Sequence, residues 1–559
     1  MRAARPADTQ RCCRARRSGR ALPRQRRRSR PLSSLSSLKT FNIAPSWIRL
    51  LNTNTVLTLG AFVRRDQYNY YPSGNPFADL APDLQSQTVG QDRTLTNAGI
   101  RSYISYVKGI HNVKAGVTYQ QTFLDKHDKL GIVDPTFNDP ASASVDPNLA
   151  PYDLTRGGTL FASNGHTDAK QLALYLQDTI TKGNWSLNLG LRGDFYNGLS
   201  THKEAEPRLG VAYNIKPSNT VLRISYARVL ETPFNENLVL SSTGCSSAVL
   251  NPLLGCNSPG ATPFSPGWRN EFHAGLQQAF GRYLVFSGEY IWKYTHNGYG
   301  YDFSILGSTP ITFPIEWHNS KIPGYAARVS VPNFHGFSAL VVFSSVASRF
   351  FLPQIGGACA TPSAAGGVFR IDHDEKFNQT THLQYQPWQR GPWFGFNWRY
   401  DGGLVAGPAP CAGGDCNNGP NGTDTIVDVS GLSPDQQFQA GLFCGSVHAT
   451  PPSTANPLGT PISPNGLCPG TQYGSTLISI TAPGTNNADH NPTRIAPRHL
   501  FDLAVGHDNL FHGDKYKISL QLTAINITNR VALYNFLSTF SGTYYVTPRI
   551  LTAELGFHF

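Results

Sequence analysis

The side chains best suited by type and spacing to carry chemistry form an acidic cluster in IDHDEKFN (371–378). His373 lies there among Asp372, Asp374 and Glu375. Carboxylate oxygens are the ligands that hard divalent cations prefer. A patch of this kind is more commonly the solvated end of a strand, so we predict no metal site from it.

Four histidines fall in HNPTRIAPRHLFDLAVGHDNLFHGD (490–514). His490 and His499 precede a predicted strand, whereas His507 and His512 follow it. The two pairs are therefore expected at opposite ends of that strand, and we predict no shared site. The chain contains no Walker loop, HExxH, GxSxG or glycine-rich dinucleotide motif. We predict no enzyme activity and no cofactor.

The nine cysteines point to an oxidising compartment. Cys12 and Cys13 lie in an arginine-rich stretch, and the other seven lie in Gly-, Pro- and Ser-rich stretches without the spacing of a metal site. Disulfides within loops fit this usage. Local spacing suggests two candidate pairs, Cys245–Cys256 and Cys411–Cys416, although sequence alone does not define connectivity.

The elements that would position these residues are strands. In RILTAELGFHF, which ends the sequence, Leu551, Leu555, Phe557 and Phe559 alternate with polar residues and glycine, which is the period of a strand with one apolar face. Similar alternation recurs, and we predict sixteen strands at 54–66, 94–107, 113–126, 168–180, 185–197, 206–215, 221–231, 268–279, 283–297, 320–331, 337–350, 376–386, 392–405, 498–506, 515–526 and 546–559.

The connections between these strands alternate in length. Short connections such as 181–184 and 216–219 alternate with long ones such as 127–167, 232–267 and 406–497, and only 198–205 is a short member of the long class. Antiparallel hairpins with all tight turns at one end produce this pattern. It is typical of an outer-membrane barrel with short periplasmic turns and long outer loops. Soluble sandwich strands are shorter, and no propeller repeat is present.

Charge divides the chain into two parts. Residues 1–40 contain 12 Arg and one Lys against one acid, which accounts for the whole formal charge of +12, and the remainder is balanced. The body therefore shows no electrostatic signal for nucleic acid. We expect residues 1–45 to be a basic low-complexity tail or a start-site artefact, and 46–559 to be the barrel. No apolar run is long enough for a transmembrane helix.

Several stretches, in this order and spacing, resemble the barrel of TonB-dependent outer-membrane receptors. They are LYLQDTITKGNWSLNLGLRGD (174–194), EPRLGVAYNIKPSNTVLRISYARVLETPFNENL (206–238), LTAINITNRVALYNF (522–536) and TPRILTAELGFHF (547–559). PGWRNEFHAGLQQAF (266–280) and PGYAARVSVPNFHGFSALVVFSSVASRFF (323–351) are similar to the Oar-like members that bear a carboxypeptidase regulatory domain. The resemblance covers roughly residues 50–559.

The resemblance implies roles for particular residues. The terminal apolar row, Leu555, Phe557 and Phe559, is similar to the signal that the barrel-assembly machinery reads. The opposite face of the strands would line the lumen, with Arg192, Asp194, Arg223, Lys517 and Glu554 as its predicted members. Outer-membrane lipid, the assembly machinery and an unknown large ligand are the expected partners, and no nucleic acid is expected.

The sequence departs from the family in extent. The family barrel has 22 strands, a plug, a TonB box and a signal peptide, whereas about sixteen strands and none of the other parts are recognisable here. We therefore expect a fragment, with TonB as a partner only if the missing part is present. The favoured function is energy-coupled uptake of a large ligand across the bacterial outer membrane. The alternatives are a sixteen-stranded passive porin and a surface binding or adhesion protein. The loops favour no one ligand class among siderophore, glycan, peptide and vitamin.

Overall fold

A computed structural model describes residues 35–71, 87–143, 145–233, 238–239, 247–250, 264–303, 312–357, 367–406, 426–481, 488–536 and 543–559. Its main element is a single antiparallel sheet of 20 strands. The first eleven are β1 (Leu35–Ile43), β2 (Ser46–Asn52), β3 (Thr55–Tyr71), β4 (Gln87–Lys108), β5 (His111–Ile132), β6 (Phe161–Lys182), β7 (Trp185–Asn197), β8 (Thr201–Ile215), β9 (Thr220–Glu231), β10 (Gly267–Phe280) and β11 (Leu284–Phe303). The sheet continues with β12 (Thr312–Phe334), β13 (Phe337–Val346), β14 (Arg349–Gly357), β15 (Val368–Arg370), β16 (Asn378–Tyr385), β17 (Trp393–Asp401), β25 (Arg498–His507), β26 (Lys517–Ile525) and β29 (Ile550–His558).

Chain order and pairing order are almost the same in this sheet. β1 and β2 both pair with β3, and each strand from β3 to β12 pairs with the next. β13 and β14 both pair with β12 and share one position in the sheet. β16 pairs with β13 and β15 pairs with β14, so these two strands share the next position. The last pairings are β16–β17, β17–β25, β25–β26 and β26–β29. Because three positions hold two strands each, the 20 strands fill seventeen positions.

Each of the sixteen predicted segments overlaps a strand of the sheet, but the described sheet has 20 strands and several bounds differ, such as the start of β4 at Gln87 and the end of β5 at Ile132. Two further differences concern strand pairing. β1 lies inside the segment 1–45 that was expected to be an unstructured tail, so the sheet begins before residue 46. The predicted strand 337–350 ends at Val346, and a separate strand, β14, begins at Arg349 and pairs with the upper half of β12. Both errors come from counting alternation, which does not show where a long neighbouring strand offers a second pairing surface.

Alternating residues separate an apolar outer face from a polar inner face. On β7, Trp185, Leu189, Leu191 and Phe195 point the same way and are 40–58% exposed. Ten residues separate Trp185 from Phe195, which at about 3.3 Å per residue and a tilt near 40° corresponds to roughly 25 Å. This is the height of the apolar band of an outer-membrane barrel, and an aromatic residue lies at each edge of it. The upper ends of the longest strands, such as β4, β5 and β12, extend beyond it.

The short turns have the backbone that tight hairpins require. Gly109 and Gly183 each occupy the first position of a two-residue turn, with φ of 62° and 61°. This left-handed region is one that glycine adopts without a Cβ clash. Asn219 takes a φ of 55° at the end of the turn that joins β8 to β9. The strands therefore reverse abruptly at one end of the sheet, as predicted.

The two outer edges of the sheet run in the same direction. Among the described strands, β1 and β2 pair only with β3, and β29 pairs only with β26. Neighbouring positions in the sheet run in opposite directions, so the first and the seventeenth position run in the same direction. β2 and β29 therefore both descend toward the short turns. Direct pairing between these edges would be parallel.

A folded unit lies at the mouth, on the side of the long connections; we call residues 426–481 the mouth module. It contains β18 (Ile426–Asp428), α1 (Pro434–Gln439), β19 (Leu442–Cys444), β20 (Val447–His448), β21 (Leu467–Pro469), β22 (Tyr473–Ser475) and β23 (Ile478–Ser479). β24 (Arg494–Ile495) pairs with β23, and β27 (Leu533–Phe536) and β28 (Thr543–Tyr545) pair nearby. Short 3₁₀ turns occur at Pro147–Tyr152, Leu154–Arg156 and Lys216–Ser218. No helix in the described ranges is long and apolar enough to cross a membrane.

Candidate functional site: the lumen wall and the mouth

A stripe of ion pairs crosses the inner face of β7–β11; we call it the charged stripe. On β7 the guanidinium Nε of Arg192 lies 2.5 Å from Asp194 Oδ2, and Asp194 is buried. Glu206 on β8 is also buried, 3.6 Å from Arg192 and 2.9 Å from Arg208. Glu206 also accepts a hydrogen bond from the backbone N–H of Leu230 at 2.7 Å. Each buried carboxylate is therefore matched by a guanidinium, as buried charge requires.

The charged stripe continues on β10 and β11. Arg269 bridges Glu231 and Glu271, and its Nε lies 2.6 Å from the Glu271 carboxylate. Lys293 approaches Glu271 within 3.3 Å, and His273 Nδ1 lies 2.7 Å from Glu289. The stripe consists of Arg192, Asp194, Glu206, Arg208, Glu231, Arg269, Glu271, His273, Glu289 and Lys293. It makes a polar, almost charge-balanced wall that suits water or a polar ligand.

Described residues from both ends of the long connection after β9 pack on the inner face, above the charged stripe. Leu238 and Phe264, at either side of the long connection after β9, pack with Leu124 of β5 and Tyr299 of β11 in one buried apolar cluster. The Tyr299 hydroxyl donates to the Ser265 carbonyl at 2.6 Å. Leu124 and Tyr299 belong to the inner faces of strands six positions apart, so Leu238 and Phe264 pack on the inner side of the sheet near its outer end.

A buried lysine lies beside that cluster. Lys126, two residues above Leu124 on the same inner face of β5, has 1% side-chain exposure. Its Nζ lies 3.7 Å from Asp128 Oδ2 and makes no hydrogen bond in the described residues. A buried ammonium with one distant counter-charge is costly to maintain. The inner face near the mouth therefore combines an apolar cluster with an incompletely satisfied cation.

The mouth module has its own hydrophobic core. Val429, Leu442, Cys468 and Ile478 are fully or almost fully buried and pack with Leu533 and Phe536 from the segment before β29. Ser433 caps α1, because its side chain accepts from the Gln436 N–H while the Gln436 side chain accepts from the Ser433 N–H. The long connection is thus a compact folded unit at the mouth.

Buried ion pairs attach the segment that follows this unit, including β24, which pairs with β23 of the module, to the sheet. Asp374 has no exposed surface and is contacted by Arg494, by Arg370 at 3.1 Å and by the Ser348 N–H at 2.5 Å. Arg494 also donates to the Asp374 carbonyl at 2.7 Å. Asp489 lies 2.7 Å from Arg349 and 3.2 Å from Arg370. Burial would raise the pKa of Asp489, but the hydrogen bonds and charges of these arginines outweigh it and hold the pKa below its usual range.

Two further groups in this region have raised pKa values for different reasons. Burial raises the pKa of the Tyr473 phenol in the mouth module well above its usual range. The pKa of His373 is raised because its Nδ1 shares a 2.6 Å hydrogen bond with Asp372, which outweighs the effect of burial. The acidic cluster of the sequence is therefore divided among separate partners: Asp374 binds arginines, Asp372 binds His373, and Glu375 accepts from Asn378.

No group of three metal-ligating side chains occurs among the described residues. The histidines are separated as expected: the His507 and His512 rings are 5.6 Å apart in a short turn, while His499 stacks on Trp398 near the other end of β25.

The predicted lumen residues all lie on the polar face of their strands. Arg192 and Asp194 join the charged stripe, and Arg223 donates to the Ser287 hydroxyl at 3.1 Å. Lys517 begins β26 beside the turn that contains His507, and Glu554 pairs with Gln521 across β26 and β29. Only the first two are therefore brought together. The stripe members on β8, β9, β10 and β11 were not predicted, although charged residues at spacing two, as in Arg269-x-Glu271 and Glu271-x-His273, were an available signal.

The predicted assembly signal lies on an exposed edge strand. Leu555, Phe557 and Phe559 are 73%, 60% and 95% exposed on one face of β29. The Phe557 ring lies 6.0 Å from Tyr516 and 6.1 Å from Phe559. The row is thus presented outward with little packing of its own. Whether it is read as a signal stays a prediction.

The structure contains a disulfide that the sequence did not suggest. Cys444 and Cys468 are bonded, and both lie in short strands of the mouth module rather than in irregular loop. The predicted pairs, Cys245–Cys256 and Cys411–Cys416, lie outside the described residues. Residues 24 apart in sequence gave no local signal, because only the fold of the module brings them together.

Comparison with known proteins identifies the type of barrel. The family model described as TonB dependent receptor-like, beta-barrel, matches residues 14–529. No curated protein matches the chain.

Solved structures share the fold at low sequence identity. The ferric-catecholate import receptor Fiu from E. coli K12 is 12% identical, with a TM-score of 0.55 over 94% of this chain and 65% of that one. The siderophore receptor PiuA from Acinetobacter baumannii is 12% identical, with a TM-score of 0.54 over 94% and 65%. The copper transporter OprC is 9% identical, with a TM-score of 0.56 over 94% and 66%. The chain thus spans about two thirds of the length of each.

Proposed function

We propose that this chain, which belongs to the TonB-dependent receptor-like β-barrel family, forms the ligand-conducting barrel of a receptor that takes up a large ligand. Its location in the bacterial outer membrane follows from that membership. Energy would be coupled from the inner membrane through TonB, acting on a TonB-binding segment that accompanies the barrel. We also propose, from the segments 266–280 and 323–351, that it belongs to the Oar-like subgroup.

The charged stripe is the observation that carries this proposal. Ten ionisable side chains face the inside of the sheet in two ion-pair networks, one on β7 and β8 and one on β9 to β11, while the outer face is apolar. A wall of this kind costs free energy in contact with lipid and is stabilised against water, a polar ligand or an inserted polar domain. It fits the transport of a hydrophilic ligand.

The neighbouring structures do not choose the ligand. Those proteins are a ferric-catecholate import receptor, a siderophore receptor and a copper transporter. For this chain we propose only a large ligand that first contacts the mouth module, because that module is a folded unit with its own core on the side of the long connections. We propose outer-membrane lipid and the barrel-assembly machinery as the other partners, the second through Phe559 and its neighbours.

A passive porin is the second candidate. The packing of Leu238 and Phe264 against the inner-face residues Leu124 and Tyr299 favours it, because the constriction loop of a porin also contacts the inner wall. Strand parity opposes it. The seventeen positions would close on themselves only through a parallel seam between β2 and β29, whereas bacterial barrels close antiparallel with an even number of strands.

Two measurements on the full-length protein separate these functions. The purified protein in a planar lipid bilayer should show no stable open-channel conductance, whereas a porin would conduct continuously. In cells, uptake that depends on this protein should disappear when TonB is deleted. Continuous conductance together with TonB-independent uptake would overturn the receptor proposal in favour of the porin. Ligand capture by the mouth module without any uptake would favour surface binding.

A further inference from the structure

A cavity opens on the outer face of the sheet at the upper edge of the apolar band. Its volume is about 540 Å³, and β5, β6, β7 and β8 form its walls. One row of cross-strand neighbours runs through it: Tyr119 beside Leu172, Leu172 beside Phe195, and Phe195 beside Lys203. The next row upward contributes Lys170 and Asn197. Lys203 therefore ends the row that carries the apolar side chains, and the ammonium group of Lys170 belongs to the row above it.

The level of the cavity along the membrane normal follows from strand geometry. Phe195 lies ten residues from Trp185, which is at the short-turn end of β7, so it lies roughly 25 Å above that aromatic residue. Asn197 and Lys170 are one row higher, in the layer where outer-leaflet headgroups lie. Below the cavity, Leu174 and Leu191 are 49% and 58% exposed on the same face. Acyl chains would cover these side chains.

The two lysines differ in how their charge is compensated. Lys170 Nζ lies 3.1 Å from Asp168 Oδ2, and the same carboxylate oxygen accepts from Gln121 at 2.7 Å. Lys203 is exposed and has no ion pair or side-chain hydrogen bond among the described residues. Asn197, also exposed, adds an amide donor nearby. The site therefore offers one unpaired cation, one partly neutralised cation and an amide above an apolar floor.

We propose that this cavity binds a phosphorylated lipid of the outer leaflet. The phosphate would accept from Lys203 and Asn197, and an acyl chain would lie along Phe195, Leu172 and the leucines below. Charge complementarity selects an anionic headgroup, because a lysine at a membrane interface is stabilised by an anion. The apolar floor selects a lipid over a free phosphate ion, because phosphate alone leaves that surface in water.

Native mass spectrometry of the full-length protein in neutral detergent tests this proposal. The probes are dimyristoyl phosphatidic acid, dimyristoyl phosphatidylcholine and inorganic phosphate. Wild-type protein should retain phosphatidic acid in preference to phosphatidylcholine. Lys203→Glu should weaken that binding at least about tenfold, the loss expected when a charge-assisted hydrogen bond is removed. Lys203→Arg should retain it, because a guanidinium also binds phosphate.

The controls address folding and general surface charge. Lys216→Glu changes an exposed lysine in a short turn at the opposite end of the sheet and should leave lipid retention unchanged. Asn197→Asp places a negative charge in the same cavity and should weaken retention even if Lys203→Glu fails to assemble. Equal retention of both lipids, an unchanged Lys203→Glu protein, or complete displacement of the lipid by millimolar inorganic phosphate would each overturn the proposal.

Discussion

The attachment of the mouth module should depend on one buried carboxylate, Asp374. This side chain has no exposed surface, and the side chains of its partners Arg370 and Arg494 are 12% and 13% exposed. Asp374→Ala would leave both guanidiniums buried without their shared anion. Removing one partner of a buried ion pair typically costs about 3–5 kcal/mol. Because Arg370 retains Asp489, we expect the lower limit, about 3 kcal/mol.

Hydrogen exchange measures this cost locally. The Ile495 N–H donates to the Leu404 carbonyl and the Ala406 N–H donates to the Thr493 carbonyl, so these amides report on the joint between module and strands. A change of about 3 kcal/mol in the free energy of local opening corresponds to roughly a hundredfold faster exchange. Peptides that cover 404–406 and 493–495 should show it, and strand amides in β5 and β6 should not.

The matched control is the exposed pair between Arg64 and Asp66, in which the arginine side chain is 57% exposed. Asp66→Ala should change exchange little, because exposed ion pairs contribute about 0–1 kcal/mol. Asp374→Asn keeps the shape and removes the charge, and it should fall between Asp374→Ala and wild type. Unchanged exchange at the joint in correctly assembled Asp374→Ala would refute the assignment of Asp374 as the anchor.

Three further predictions concern the module, the carboxyl terminus and acid. Cys444→Ser removes a disulfide that links residues 24 apart, which by loop-closure entropy is expected to lower the stability of the module by about 3 kcal/mol. Hydrogen exchange across 442–479 should become faster, and reductant should have the same effect on the wild-type protein. Unchanged exchange in the variant would contradict a structural role for the disulfide. Deletion of Phe559, which is 95% exposed, should lower the amount of assembled protein in the outer membrane several-fold without lowering the thermal stability of refolded protein. Phe511→Ala, in a short turn, should change neither quantity. A loss of thermal stability on deletion of Phe559 would show that its ring contributes to packing instead. The folded pKa of Asp489 lies below its unfolded value of about 3.9. The contribution of Asp489 to folding stability is therefore present above that pH and declines as pH falls through the folded pKa. Pepsin should cut 426–481 more readily at pH 3 than at pH 4.5, and this difference should shrink in Asp489→Asn.

The strands could be predicted because each carries its own signal. A strand that separates lipid from a polar lumen must alternate apolar and polar side chains. Strands such as Trp185–Asn197 and Lys517–Ile525 can therefore be predicted from their own sequence, without knowledge of the neighbouring strands. The short turns can also be predicted from local sequence, because Gly109 and Gly183 lie where a two-residue turn needs a positive φ. The residues Arg192 and Asp194 were found as a lumen pair because they are two apart on one strand.

The remainder required contacts between distant parts of the chain. Glu271 meets Lys293 only through the register of β10 and β11, and Asp374 meets Arg494 across 120 residues. The acidic run at 371–378 gave no indication of its partners, because sequence shows which carboxylates are adjacent and not which arginines approach them. Cys444 and Cys468 likewise pair only after the module has folded.

The sequence by itself therefore determined the strand period, the alternation of short and long connections and the apolar terminal row, because lipid and water act on every residue independently along a strand. Only the tertiary structure decided the seventeen positions and their shared edge direction, the charged stripe and the folded mouth. These depend on which strands are neighbours and on the register between them, and a one-residue change of register would place every one of those side chains on the other face.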